Sequence, residues 1–366
     1  MNSQANQIIR KILKNNMGLK PNERCLVFTD LLNEDVDENQ KLRRSKLPLI
    51  AKAFFEEANS IAKAFYFEYP SLGSPASEPP FELWEIAFGK SCTKEFEYLK
   101  EKILSKTLSD EEKSLIESIV KQKNESVDII IALPNYSTSH TFFRKLLTNT
   151  CGSRFASMPL FDENMLFGPL SVDIEELKDN TLRVYEILKG AKVIKVSAKN
   201  GTQIEFNTEG REFLADYGLL DKPGSFGNLP AGEVFIAPNE GATNGYFVAE
   251  FGPTFKFNNN LCFVVKDGYV REIIGSDNYA NTLEGIIKKY PQAANIAELG
   301  IGTNKKAKDP LNILEAEKIY KTIHMALGDN SSFGGKVSVP FHQDFVLFEP
   351  NVIIIKDNKS EYLYFD

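Results

Sequence analysis

The sequence has few of the side chains that carry metal and redox chemistry, with three histidines and four cysteines among 366 residues. The cysteines are widely separated and form no C-x-x-C pair, which is typical of proteins in a reducing compartment. They are Cys25, Cys92, Cys151 and Cys262. We therefore expect a protein without disulfides, in which the cysteines serve as small core side chains.

Long apolar runs are also missing. Segments such as "DIIIALP" and "NVIIIK" are far shorter than the roughly 20 residues that cross a bilayer. The opening "MNSQANQIIRKILKNN" has apolar residues at helical spacing, but it lacks the continuous apolar stretch and small-residue cleavage site of a signal peptide. The sequence predicts a cytoplasmic protein that begins with an amphipathic helix and has no membrane partner.

Positive charge is neither in excess nor clustered. The formal net charge is −7 and the pI is about 5.4, and the lysines are scattered along the chain, so no basic surface is expected to attract phosphates. This excludes nucleic acid as an expected partner. The composition, 42% hydrophobic and 25% charged, is typical of a globular protein with large cores.

The pattern of apolar residues changes along the chain. In the first half, short apolar runs such as "CLVFTD" and "VDIIIALP" alternate with helical patterns such as "LPLIAKAFFEEA", which predicts a parallel sheet wrapped by helices. From about Ala191 onward, alternating strands with a turn at Asn200-Gly201 indicate antiparallel pairing. The predicted fold class is α/β, with an N-terminal parallel-sheet domain over residues 1–190 and a mixed α+β domain rich in antiparallel strands over 191–366.

The stretch "VPFHQDFVLF" places a histidine and an aspartate in a strand-like run. Residues two apart on a strand share a face, so His342 and Asp344 are expected side by side. An imidazole and a carboxylate are suitable ligands for zinc or a neighbouring divalent metal. Taken alone, the pair fits the solvated face of a strand at least as well.

Three more polar residues lie in apolar surroundings. His324 lies in "TIHMALG", where an imidazole without a partner would be costly to bury. Glu298 lies in "NIAELGIGTN", and Glu233 opens the apolar run of "NLPAGEVFIAP". Each has a structural explanation: a hydrogen-bonded core histidine, a carboxylate that caps backbone amides, and an exposed strand end.

Four segments occur in the order "NLPAGEVFIAP", "AELGIGTN", "IHMALGDN" and "FHQDF". Together they resemble the C-terminal domain of the thermophilic aminopeptidase T family of metal-dependent aminopeptidases. In the first half, "STSHTFFRKLLTNTCGSRFASMP" resembles that family's Ser-His-Thr segment with its helix and strand. The opening "KILKNNMGLKPNERCLVF" resembles its N-terminal helix and first strand.

The resemblance implies a hydrolase whose C-terminal domain carries two divalent ions of zinc, cobalt or manganese. The implied ligands are Glu233, Glu298, His324, His342 and Asp344. One metal would polarise the scissile carbonyl and activate water, and the other would hold the free amino group, while Glu298 would help to orient the water. The implied activity is release of N-terminal residues from short peptides by a homodimer.

One residue departs from the family pattern. The family's peptidases carry a tyrosine seven residues after the histidine of "H-x-A-L-G", whereas this chain has Ser331 there. A phenol that could bind a metal or stabilise an oxyanion is therefore missing from this position, unless Asp329 or a tyrosine from elsewhere replaces it. The departure weakens the peptidase assignment and leaves the metal site intact.

Two alternatives to the peptidase stay open. A ring-opening dioxygenase of pyridine catabolism resembles the same family, and His324, His342 and Asp344 are sufficient by count for a mononuclear iron(II) site. Glu233 and Glu298 count against it, because one metal does not need two more carboxylates. A non-catalytic metal-binding homologue is the other alternative, which Ser331 favours.

The remaining histidine, His140, lies at a predicted strand-to-helix junction. Ligands bind at the carboxyl ends of strands in α/β sheets, so His140 is a candidate catalytic general acid or base. The alternative is a residue of the first helical turn, with Ser139 or Thr138 as the helix cap.

Overall fold

The computed structural model describes residues 1–32, 41, 44–276, 278–357 and 359–364. The chain forms two compact units. Unit 1 consists of Met1–Ser171 and Gly218–Pro230, and unit 2 of Val172–Tyr217 and Ala231–Asp366. The sequence-based domain boundary at residue 190 follows the change in strand pattern, whereas unit 2 already begins at Val172, because the helix at Ile174–Leu188 buries Val184 and Leu188 in the core of unit 2.

Unit 1 is an α/β unit. In chain order it has α1 Ser3–Lys11, β1 Arg24–Leu31, α2 Leu47–Asn59, β2 Lys63–Pro70, α3 Phe81–Phe88, α4 Lys90–Thr93, α5 Lys100–Leu104, α6 Asp110–Lys123, β3 Ile129–Ala132, α7 Phe142–Lys145, β4 Arg154–Ser157, α8 Asn164–Phe167 and β8 Phe226–Asn228. Single π-helical segments continue α1 over Ile12–Asn16 and α7 over Leu146–Thr150.

The five strands of unit 1 form one parallel sheet in the order β2-β1-β3-β4-β8. Strands β3 and β4 are buried along their whole length, as expected for parallel strands covered by helices on both faces. The apolar run "CLVF" lies in β1, and "IIIA" forms β3. The α/β class predicted from the first half of the sequence is confirmed.

Unit 2 is dominated by antiparallel strands. It has α9 Ile174–Leu188, β5 Val193–Ser197, β6 Gln203–Asn207, β7 Leu214–Asp216, β9 Glu233–Ile236, β10 Asn244–Phe251, β11 Lys256–Lys266, β12 Tyr269–Ile274, α10 Asn278–Lys289, β13 Ile296–Gly302, α11 Ile313–Ala316, β14 Ile323–Gly328, β15 His342–Leu347, β16 Asn351–Lys356 and β17 Lys359–Tyr362.

Two antiparallel sheets build unit 2. A seven-stranded sheet has the order β12-β11-β10-β6-β5-β16-β17, and a five-stranded sheet has the order β15-β14-β13-β9-β7. Their apolar faces share one core, in which the rings of Phe263 on β11 and Phe345 on β15 lie 4.8 Å apart. One face of the five-stranded sheet therefore packs into the core, and its other face can carry polar side chains.

None of the helices in the described part of the chain combines the length and apolar character needed to cross a membrane.

A buried carboxylate caps helix α7 in unit 1. Glu78, 5% exposed, accepts hydrogen bonds from the backbone N–H groups of Phe142 and Phe143 at 2.5 and 3.1 Å. Burial raises the pKa of Glu78 to about 7, although these N–H groups lower it. The single tryptophan of the sequence, Trp84, packs 6.1 and 5.3 Å from the two phenylalanine rings, so its fluorescence reports on this cap.

Glu78 makes the free energy of unfolding of unit 1 depend on pH. Between pH 4.5 and about 7 the folded state keeps a proton that the unfolded state loses, so the free energy of unfolding falls as pH rises, by roughly 3 kcal/mol at most. Thermal unfolding followed by Trp84 fluorescence is expected to lose more stability from pH 5 to pH 7.5 in the parent than in Glu78→Gln. The same pH dependence in both proteins would contradict this role.

Candidate metal centre

The pairing register of β14 with β15 determines where three of the candidate ligands lie. His324, Ala326 and Gly328 alternate along β14 and share a face. They lie opposite Val346, Asp344 and His342 of β15. The intervening residues of β14, Ile323, Met325 and Leu327, are buried in the core of unit 2. Both histidines and the aspartate therefore project from the same, non-core face of the sheet.

Strands β13 and β9 add the two glutamates to that face. Glu298 pairs with Ala326, and Gly300 pairs with His324. Gly302 pairs with Glu233 at the start of β9. The structure thus places the five candidate ligands predicted from the sequence on one face of the five-stranded sheet. They are Glu233, Glu298, His324, His342 and Asp344.

Two glycines make room for these side chains. A Cβ at Gly300 would lie 1.9 Å from Nε2 of His324, so only glycine leaves space for the imidazole. At Gly328, φ is 106° and a Cβ would lie 2.1 Å from the carbonyl oxygen of Phe341. Strand β14 can therefore approach β15 closely beside His342 only with glycine at position 328.

The ligand atoms fall into two groups that share one carboxylate. The inner group comprises Glu233, Glu298 and His324, all buried, and the outer group comprises Glu298, His342 and Asp344; within each group the donor atoms lie within 4.8 Å of one another. The two histidines are thus in different groups.

The spacing of the donor atoms suits a divalent metal. In the inner group, Nε2 of His324 lies 3.3 Å from both Glu233 Oε2 and Glu298 Oε1. In the outer group, Nε2 of His342 lies 3.5 Å from Glu298 Oε2 and 3.6 Å from Asp344 Oδ2. Two ligands at about 2.1 Å from one metal are roughly 3.0–3.4 Å apart. The donor set and its spacing therefore fit a metal ion.

Burial and charge act against each other in the two imidazoles. Burial alone would lower the pKa of both histidines, but the neighbouring carboxylates raise the pKa of His324 to about 9 and that of His342 to about 10. Burial would raise the pKa of Asp344, but His342 lowers it to about 2. The carboxylates thus attract positive charge, which a divalent cation supplies on displacing the imidazole protons.

The loop after β14 orients His342. Nδ1 of His342 lies 2.8 Å from the carbonyl oxygen of Asp329, so the imidazole donates from Nδ1 and directs Nε2 towards the carboxylates. The carboxylate of Asp329 accepts hydrogen bonds from the hydroxyl of Ser331 and from the N–H of Val339. Asp329 therefore holds this loop and, through its carbonyl, the ring of His342.

Sequence reasoning missed a buried lysine. Nζ of Lys318 lies 2.5 Å from Glu233 Oε1 and 2.7 Å from Glu317 Oε1, and its side chain has no solvent exposure. Burial alone would lower the pKa of Lys318, but Glu233 and Glu317 outweigh it and hold that pKa above its ordinary value. The sequence gives no clear signal for this burial, because Lys318 lies among charged residues in "ILEAEKIYK".

An aromatic pair also escaped sequence reasoning. Phe235 lies two residues after Glu233 on β9 and pairs with Gly300, so it shares the ligand face. The ring of Phe333 packs at 5.6 Å from Phe235 and edge-on at 6.0 Å from the imidazole of His342. The metal-ligand face is therefore bordered by two partly buried aromatic rings.

His140 belongs to unit 1, whereas the five candidate ligands belong to unit 2. It directly precedes Thr141, whose side chain accepts a hydrogen bond from the N–H of Arg144 and caps helix α7. The alternative that Ser139 or Thr138 is the cap is therefore wrong. A catalytic role for His140 stays a prediction.

Comparison with known proteins identifies related sequences. The family model NicX, described as 2,5-dihydroxypyridine 5,6-dioxygenase, matches residues 171–354. A protein from Pseudomonas putida named 2,5-dihydroxypyridine 5,6-dioxygenase is 26% identical over 202 residues. That alignment covers 51% of this chain and 57% of the relative, so the chain matches little more than half of the length of this relative.

Two solved structures share the fold. The 2,5-dihydroxypyridine dioxygenase of Pseudomonas putida KT2440 superposes with a TM-score of 0.68 at 20% identity, over 98% of this chain and 95% of that one. AmpT from Thermus thermophilus superposes with a TM-score of 0.57 at 13% identity, over 99% and 97% of the two chains. At these identities the likeness concerns the fold alone.

The expectation of a hydrolase is corrected by these comparisons. The matched family model and the curated relative are both described as a dioxygenase, an oxidoreductase, and not as an aminopeptidase or metalloprotease. The resemblance to the aminopeptidase T family is one of fold. Since the family model spans half of the sequence, from residue 171 to residue 354, the chain belongs to the NicX family, whose description is 2,5-dihydroxypyridine 5,6-dioxygenase.

Proposed function

We propose that this protein is a ring-cleaving dioxygenase that uses iron(II) and acts on a small dihydroxylated aromatic or pyridine ring. The observation that carries the proposal is the coincidence of two features in the same segment. Residues 171–354 match the family model described as a dioxygenase, and the same segment contains all five side chains of the candidate metal centre.

The proposed ligands of the iron are the two histidines and the aspartate of this face. His324, His342 and Asp344 would supply the two imidazoles and one carboxylate that are typical of iron(II) oxygenases. Glu298 lies 3.3 Å from the imidazole of His324 and 3.5 Å from that of His342, and would orient both rings. Iron held by these residues would supply the reaction with dioxygen.

The outer group is the accessible one. The side chains of His342 and Asp344 are 18% and 15% exposed, whereas His324 is only 1% exposed. A substrate therefore reaches the ligands from the side of β15. The backbone carbonyl of Asp329 accepts a hydrogen bond from Nδ1–H of His342 and so keeps the other ring nitrogen directed towards the ligand group.

The aromatic rings of Phe235 and Phe333 beside the ligands favour a planar substrate. Phe333 contacts both His342 and Phe235 through its ring, and aromatic side chains favour offset or edge-on packing against a flat ring. A small ring that binds at the outer group would lie against Phe333.

The proposal includes a homodimer and a catalytic role for His140. The homodimer implied by the family resemblance is checked by light scattering on the purified chain. The proposed role of His140 as a general acid or base is checked by His140→Ala, which is expected to lower turnover and leave metal content unchanged.

Oxygen uptake tests the proposed reaction. A dioxygenase places both atoms of O₂ in its product, so the iron(II)-loaded protein is expected to consume oxygen and 2,5-dihydroxypyridine, or a related dihydroxylated ring, in equal amounts. His342→Ala is expected to reduce turnover more than about 100-fold together with its iron content, since it removes a ligand. His140→Ala is the matched histidine control for iron content. Absence of oxygen uptake by fully iron-loaded parent protein, across a panel of such rings, would contradict the proposal.

Phe333 tests the substrate class. Phe333→Ala is expected to raise KM for the ring substrate about three- to tenfold, because an aromatic contact contributes roughly 0.5–1.5 kcal/mol, while metal content stays at the parental level. Tyr246, 52% exposed on β10, provides the control variant Tyr246→Ala. Equal KM values for Phe333→Ala and the parent would show that Phe333 does not contact the substrate.

A further inference from the structure

The loop that carries Phe333 joins β14 to β15 and consists of residues 329–341. Its tip reads "SSFGGK", with two serines and two adjacent glycines, a composition that leaves many backbone conformations open. The ring of Phe333 nevertheless has a defined place, 5.6 Å from Phe235 and 6.0 Å from the imidazole of His342. Contacts to the loop must therefore compensate for the backbone freedom that the tip loses.

A buried asparagine organises the loop from within. Asn330 has no solvent exposure, and its side-chain oxygen accepts a hydrogen bond from the N–H of Val337 at 2.9 Å. Its carbonyl oxygen accepts another from the N–H of Gly335, also at 2.9 Å. A Cβ at Gly335 would lie 1.9 Å from Cγ of Asn330, so the chain can fold tightly around this side chain only with glycine there.

A carboxylate from a neighbouring loop binds the tip at two points. Glu240 lies between β9 and β10, and its Oε1 accepts hydrogen bonds from the N–H of Lys336 at 2.7 Å and from the side-chain amide of Asn330 at 3.2 Å. Burial alone would raise the pKa of Glu240, but the N–H of Lys336 and the charge of Arg211 help to hold it below its ordinary value. Glu240 is therefore charged at neutral pH, and its hydrogen bonds to the tip are charge-assisted.

A guanidinium from a third loop binds the same tip. Arg211 lies between β6 and β7 and donates hydrogen bonds to the carbonyl oxygen of Gly334 and to Oε2 of Glu240. Its Nε donates to Oδ1 of Asn239 at 2.9 Å. The backbone N–H of Asn239 donates in turn to the carbonyl oxygen of Asn207, the last residue of β6, at 2.8 Å. The tip is thus connected to the end of a strand in the seven-stranded sheet.

We propose that Glu240 and Arg211 are positioning residues that hold the ring of Phe333 beside the metal-ligand face and so set the affinity for the ring substrate. Both act through the loop, because together they bind residues on either side of Phe333 in the sequence. The inference rests on the proposed function for the nature of that substrate. The hydrogen bonds of Glu240 and Arg211 to the tip do not depend on it.

A separate set of contacts holds the second histidine of the ligand face. His342 donates from Nδ1 to the backbone carbonyl of Asp329 at 2.8 Å, and the carboxylate of Asp329 accepts from the N–H of Val339 at 3.1 Å. These contacts lie at the base of the loop and do not include Glu240. Substitution of Glu240 is therefore expected to release Phe333 and to leave the metal content at the parental level.

Limited digestion of the purified full chain with trypsin tests the hydrogen bonds to the tip. Lys336 is the only lysine or arginine among residues 322–355, and a protease cuts a folded chain where its backbone opens locally. Glu240→Ala is expected to speed cleavage after Lys336 about tenfold or more, because it removes a charged hydrogen-bond acceptor. Glu240→Gln, which keeps an acceptor oxygen, is expected to lie between Glu240→Ala and the parent. Glu272→Ala, at an exposed glutamate of β12, is the matched control and is expected to match the parent.

Binding of 2,5-dihydroxypyridine to the iron-loaded protein, measured without oxygen so that no turnover occurs, tests the consequence for the substrate. Glu240→Ala is expected to raise Kd about three- to tenfold, as is Phe333→Ala. The double variant is expected to bind no more weakly than Phe333→Ala alone, because Glu240 acts through Phe333. A general loosening of the fold would instead add to the effect of Phe333→Ala.

A second variant covers the case in which Glu240→Ala does not fold. Arg211→Gln removes the guanidinium from Gly334 and from Glu240, and it is expected to raise both the cleavage rate and Kd. Parental cleavage after Lys336 or a parental Kd in the folded variant, or additive effects of Glu240→Ala and Phe333→Ala, would each overturn the inference.

Failure of this inference and failure of the proposed function give different results. Faster cleavage after Lys336 and weaker ring binding in Glu240→Ala, combined with no oxygen uptake by the parent, would reject the reaction and leave the role of Glu240 intact. Oxygen uptake by the parent, combined with parental cleavage and parental ring binding in Glu240→Ala, would reject the role of Glu240 and leave the reaction intact.

Discussion

The antiparallel register of β14 between its two neighbours is the constraint on which the centre depends. Because side chains alternate along a strand, a shift of one residue would turn the ligands of that strand into the core and expose its apolar residues. The observed register sets His324 opposite Gly300 and sets Ala326 opposite both Glu298 and Asp344. Apolar residues on the core face thus determine which polar side chains meet on the other face.

Small residues on the ligand face are the second requirement of this arrangement. Gly300 and Gly328 leave the volume that the imidazoles and the adjacent backbone occupy, and Ala326 lies between two acidic side chains. Larger side chains at these positions would bury more apolar surface, but they would fill the space where donor atoms converge. The small residues thus reduce apolar packing on this face and leave space for the polar side chains.

Grouping several carboxylates on a buried face requires positive charge close by. Glu298 shows how burial disfavours the charged form of a carboxylate: burial raises the pKa of its carboxyl, and the two histidines act to lower it. An isolated buried charge is strongly unfavourable, so carboxylates in such positions are paired or bind metals. Here two sources are available, the ammonium of Lys318 beside Glu233 and a divalent ion at the ligand face.

Much of this centre could be predicted from the sequence, because the alternation of residues along a strand and short glycine-containing motifs can be recognised in the sequence itself. Strand alternation predicts that His342 and Asp344 share a face, whereas the full set of five candidate ligands is what the resemblance to the aminopeptidase T family implies. Lys318 was missed because the pattern "ILEAEKIY" indicates a helix with its lysine exposed, whereas helix α11 ends at Ala316 and the lysine turns inward to Glu233. The expectation of a hydrolase is wrong because AmpT and a dioxygenase share this fold, so resemblance to the fold does not distinguish them; Ser331 is the residue that departs from the peptidase pattern.

Anomalous diffraction at the iron edge is the most direct test of the central claim, that the non-core face of the five-stranded sheet binds one metal ion. Crystals of the full chain would be loaded with iron(II) under anaerobic conditions. The account predicts one anomalous peak per chain, roughly 2.0–2.3 Å from Nε2 of His324 and of His342 and from the carboxylate of Asp344. A peak elsewhere in the chain, or no peak at this face in iron-loaded crystals, would contradict it.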